Sequence, residues 1–79
     1  MSGADTAKRL GVTVAGLSVL AVAIKDPHGR AIGPAFGVAT QGPRLELRRG
    51  GMLREMDFGP DVITQAGRKT ILEARKLGW

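Results

Sequence analysis

The stretch that decides the fold is Leu10–Ile24, LGVTVAGLSVLAVAI, in which only Thr13 and Ser18 are polar. Lys8-Arg9 precede it and Lys25-Asp26-Pro27 follow it. A run this apolar between basic residues fits a membrane helix, although the apolar part alone is shorter than the ~20 residues that hydrocarbon requires. The helix can extend beyond its apolar centre. Ser2 and Asp5 have the spacing of a capping box, and Pro27 forces an end at or before Asp26. A helix from Gly3 to Lys25 would cover about 34 Å, with Lys8, Arg9 and Lys25 reaching the headgroups. Ala4, Ala7, Gly11, Ala15 and Ser18 would fall on one narrow arc, a small-residue face that lets a second helix approach closely. The sequence therefore predicts a docking face of Ala7, Gly11, Ala15 and Ser18 on a single membrane-spanning helix.

A second reading makes the same residues strands. Val12, Val14, Val19, Val22 and Ile24 are β-branched. Asp26-Pro27-His28-Gly29 suits a tight turn, giving a hairpin over 17–40 in a small soluble α+β fold. Pro34 opposes this, because it removes a donor from the second strand. Ala21-Val22-Ala23 also fits a signal-peptide cleavage site, but a chain beginning at Met1 is expected to keep the segment.

Outward from this segment, residues 26–58 hold three of the four prolines and half of the glycines. Such composition predicts an extended strap, with Leu45-Glu46-Leu47 as one short strand and Gly50-Gly51 turning it back on Met52-Leu53. Residues 59–79 read as a basic amphipathic helix. Pro60 and Asp61 suit its first turn, Arg75 and Lys76 its last, and Gly78 its stop. Its expected packing face is Val62, Ile63, Ala66, Thr70, Ala74 and Leu77, and its basic face is Arg68, Lys69, Arg75 and Lys76. Leu72 falls on the basic side. The expected fold is thus mainly α, in three parts: a membrane helix over 1–25, a strap over 26–58 and a basic helix over 59–79.

Composition limits the function. The chain has 79 residues, 12 Gly, no Cys, no Tyr and one His. Disulfides and thiolate zinc sites are excluded, and no second His joins His28 in a metal site. Ser2 and Ser18 lack an acid–base partner, and no glycine loop carries the Lys-Ser/Thr sequel of a phosphate cradle. The expectation is a non-enzyme without cofactors or a small-molecule substrate. The net charge of +5 suggests an anionic partner. Only three aromatics are present, none interleaved with basic residues, which argues against nucleic acid as a partner. The reading that follows is a structural accessory subunit of a large membrane complex, such as a respiratory-chain assembly in a mitochondrial or bacterial inner membrane. Its partners would be larger membrane subunits and anionic lipid. The alternative is a small soluble ligand-binding, regulatory or scaffold module, such as a virion protein, that oligomerises to complete its core.

Overall fold

In the computed structural model, which describes residues 2–79, the 10–24 stretch enters a bent pair of helices. Helix α1 spans Gly3–Arg9 and helix α2 spans Val14–Lys25, at 86° to one another. The break is written locally. Gly11 takes φ +74°, and the N–H groups of Gly11 and Val12 return to Lys8 O and Ala7 O at 3.1 and 2.9 Å. That pair of bonds closes α1 in a Schellman motif, which needs a left-handed residue at this position. Two residues on, Thr13 restarts the chain: its Oγ1 accepts the Gly16 N–H at 3.0 Å, satisfying an N-terminal donor of α2. Ser2 does the same for α1, accepting from Asp5 N. The expected continuous helix over 3–25 is therefore replaced by two short arms, and no single helix is long and apolar enough to cross a membrane. The hairpin over 17–40 is equally absent, since Leu17 to Lys25 is helical.

The segment expected to be a strap is folded. Two short 3-10 turns, Gly33–Ala35 and Val38–Thr40, lead into helix α3, Gln41–Arg49. Leu45, Glu46 and Leu47 lie within α3 rather than on a strand. Gly50-Gly51 does turn the chain, here into strand β1, Leu53–Arg54. Strand β2, Val62–Ile63, pairs antiparallel with β1 in the register Leu53↔Ile63 and Arg54↔Val62. Val62 also forms a bridge with Arg30 on its other side. The Ala31 N–H donates to Asp61 O at 2.8 Å and the Ile63 N–H to Gly29 O at 2.7 Å. So β2 lies between β1, its hairpin partner, and the single bridge residue Arg30 from a distant part of the chain. Val62 and Ile63 were expected on the last helix. That helix, α4, is instead Gln65–Lys76, with Thr64 Oγ1 accepting from Gly67 N. Pro60 cannot start it because its successors pair with β1.

The fold is mainly helical, with four helices around one apolar centre. Leu17, Val19, Leu20 and Ala23 of α2 are buried there with Ala7, Leu47, Leu53, Ile63, Ile71 and Ala74. Helix α2 is the hub. It touches α1, α3, α4, β2 and the first 3-10 turn. Its apolar residues face the chain's own core, where removal of water stabilises by roughly 25 cal/mol per Å². At the far end Gly78 closes α4, and the Trp79 ring lies against Gly3.

Candidate nucleic-acid interface

Helix α3 is the peripheral helix. Only Arg44 and Leu47 are buried on it; Gln41, Gly42, Leu45, Glu46 and Arg49 face outward. Its seating is polar as well as apolar. Arg44 Nε donates to Thr40 Oγ1 at 3.1 Å and Nη2 to Gly37 O at 3.0 Å, while its Cζ lies 5.4 Å from the Phe36 ring centroid. One buried guanidinium thus fixes the two 3-10 turns to the helix. Stacking on an aromatic face and fork-like donation suit Arg better than Lys. One turn along, Arg48 reaches both ends of the 55–61 loop: Nη1 is 3.1 Å from Glu55 Oε2 and Nε is 3.3 Å from Asp61 Oδ2. The second contact is electrostatic rather than a directed hydrogen bond, because neither Arg48 Nε nor Asp61 Oδ2 has a hydrogen-bond partner among the described residues.

Arg30 and Arg54 both sit opposite Val62, so both project on one face of the sheet. Their charges differ in availability. Arg30 grips Asp26 through Nε and Nη2 at 3.0 and 3.2 Å. The same carboxylate accepts the backbone N–H groups of His28 and Arg30. The Arg30 side chain, then its backbone N–H, hold the Asp26 carboxyl well below the usual carboxylate range. The partner guanidinium is correspondingly shifted up. Asp26 therefore closes the turn after α2, and Arg30 is largely neutralised. Arg49 and Arg54 make no ion pair among the described residues.

The residues expected to form sites are dispersed. Ala7 is buried on α1, Gly11 occupies the elbow, and Ala15 and Ser18 are exposed on α2. The 86° bend prevents these four from forming one stripe. On α4 the buried residues are Gly67, Ile71 and Ala74. Ala66 is exposed, Thr70 and Leu77 are half-buried, and Val62 and Ile63 belong to β2. Lys69, Arg75 and Lys76 are exposed, whereas Arg68 is half-buried beside Gly29. Leu72 is on the outer face, as its wheel position indicates. His28 is exposed in the turn after α2, where its backbone N–H is tied to Asp26. Arg44, Arg48 and the outer face of α3 were not anticipated. Their signal was Pro43 followed by a Leu47/Arg44/Arg48 face and the Gly50-Gly51 stop.

Among the described residues, no three of His, Cys, Asp or Glu gather as a metal site. What the arrangement offers chemically is an exposed short helix braced at both ends, flanked by unpaired arginines. No family model, curated protein or solved structure matches the chain.

Proposed function

We propose that this chain is a small nucleic-acid-binding module of winged helix–turn–helix type, which places α3 in the major groove of duplex DNA. The observation that carries the reading is the central position of β2: Val62 pairs with Arg30 on one side and Arg54 on the other. Helix α2, the bridge at Arg30, the 3-10 turns, α3, β1, a loop and β2 then follow the order of a winged helix, with the first strand reduced to one bridge, the second helix reduced to turns and residues 55–61 as the wing. This is a fold-level analogy, so the function has to be argued from side chains. Gln41 is a side-chain type that reads purine edges, and Leu45 can meet a thymine methyl. Arg49 and Arg54 are free to meet phosphates, and the net charge of +5 favours a polyanion. The scarcity of aromatics speaks against single strands, where bases stack on rings, and leaves groove reading unaffected.

The elbow between α1 and α2 is also close to the angle of a helix–turn–helix. Helix α2 makes a poor reading head, however, because Leu17, Val19, Leu20 and Ala23 pack it into the core. The same burial disfavours an accessory membrane subunit, since that role needs the face of α2 for lipid or for another helix. The role proposed here is binding without catalysis.

Fluorescence anisotropy of a labelled duplex tests the reading. Affinity should fall with salt at a slope of about −2 to −4, as for two to four phosphate contacts. Arg49→Ala should weaken binding and reduce that slope by about one. A chain that ignores duplex DNA at low salt, or binds it equally well as Arg49→Ala, would sink the proposal.

A further inference from the structure

The wing carries the most exposed large apolar side chain among the described residues. Phe58 is 94% exposed, and Met56, two residues earlier, is also exposed. Between them stands Asp57, which makes no ion pair among the described residues. The ends of the wing are nonetheless pinned, because Arg48 holds Glu55 and Asp61 together. A pinned loop presents its tip at a reduced ordering cost, and a large aromatic in that position is the kind of anchor that dominates interfaces. An acidic tip repels phosphates, so it is poorly suited to meet nucleic acid.

The complement of this tip lies on the same chain. Between the end of α2 and residues 27–34 runs an open groove of about 340 Å³, lined by Val22, Pro27, Ile32 and Pro34. Two charged residues border it, Lys25 and Asp26. The Asp26 carboxylate is committed to Arg30, so Lys25 is the free charge on the rim. The groove is apolar with a basic edge; the tip is apolar with an acidic residue. The two are also neighbours: Ala31, leading into the groove, donates to the carbonyl of Asp61, at the foot of the wing. A tip and a groove on one edge of the molecule can be exchanged reciprocally about a two-fold axis, which closes a dimer and leaves no free end for further copies.

We infer that two copies of this chain pair through their wings, Phe58 of each entering the groove beside α2 of the other, with Asp57 set against Lys25. The inference is independent of the nucleic-acid reading, and its test contains no DNA. Analytical ultracentrifugation of the full chain over the micromolar to millimolar range should give a dimer. Phe58→Ser should be monomeric over the same range with an unchanged far-UV circular dichroism spectrum, because so exposed a side chain does not support the monomer. Asp57→Lys and Lys25→Asp should each raise the dissociation constant about tenfold or more. The double exchange should recover most of that loss. A wild-type chain that stays monomeric throughout overturns the inference. So does a dimer indifferent to Phe58→Ser, or a double exchange no better than the single ones.

Discussion

Gly67 shows how one atom can decide whether α4 fits. A Cβ at this position would collide with the Met52 carbonyl oxygen and lie 2.7 Å from Ile63 Cγ1. Backbone cannot step aside as a flexible side chain can. Alanine favours a helix interior over glycine by up to about 1 kcal/mol, but overpacking of this kind costs roughly 1–3 kcal/mol. Gly67→Ala should therefore lower the melting temperature, whereas Gly42→Ala, on a helix with nothing within 4 Å of the new Cβ, should raise it slightly. Thermal melts of the two variants check the opposite signs. Asp26 gives the residue-scale pH dependence. Its carboxyl is depressed in the folded chain by Arg30, so its contribution is complete above the ordinary carboxylate range. It is lost as pH falls from about 4 toward and through the folded value. Asp26→Asn should be less stable at neutral pH, and the gap to wild type should shrink as the solution is acidified below about pH 4. Urea titrations at several pH values measure that gap; one that stayed constant or widened would refute the assignment.

The elements owe their ends to glycine more than to any other residue. Gly11, Gly51 and Gly78 all take positive φ. After each, the next residue's N–H returns to the helix: Val12 to Ala7 O, Met52 to Leu47 O and Trp79 to Ala74 O, at 2.8–3.0 Å. The glycine count that suggests a weak core from composition is thus partly a count of helix stops. Local signals were legible: the Ser2–Asp5 cap, the end forced by Pro27, the amphipathic last helix, and a stray Leu72. The elbow was not, because Gly11 on a helical wheel looks like an interface residue until Thr13 is credited with starting a new helix. Helix α3 was hidden because its seating depends on tertiary partners, with Arg44 reaching Gly37, Thr40 and Phe36. Strand β2 was hidden because it is only two residues long, and its bridge to Arg30 joins it to a part of the chain far away in sequence. The loop between β1 and β2 depends on Arg48 in the same non-local way. Arg48→Met would leave the buried Asp61 carboxylate without its cation, at a cost of roughly 1–3 kcal/mol. Glu55→Gln should cost under about 1 kcal/mol, since Glu55 is exposed. Equal costs in denaturant melts would mean that Asp61 finds its compensation elsewhere.

At the scale of the molecule, the question is whether α2 serves its own chain or a bilayer. Its twelve residues reach about 18 Å, against the ~30 Å of a hydrocarbon core. Four of its apolar side chains are enclosed by α1, α3, α4 and the sheet. A chain of 79 residues buries only about 60% of its unfolded surface, so its stability margin is small and concentrated on this helix. Leu20 is fully buried. Leu20→Ala removes its methyl groups from the core and leaves a cavity, a change that costs about 2–5 kcal/mol. With 1 kcal/mol worth roughly 4–8 °C in a domain of this size, the melting temperature should fall by at least about 8 °C. Ser18→Ala, on the exposed side of the same helix, should shift it by no more than about 2 °C. The measurement is a circular dichroism melt of the full chain in aqueous buffer without detergent. The compact fold requires one cooperative transition there and this asymmetry between neighbouring turns of α2. A chain that needs lipid or detergent to fold, or one in which both substitutions act alike, would instead restore α2 to the role of a membrane helix.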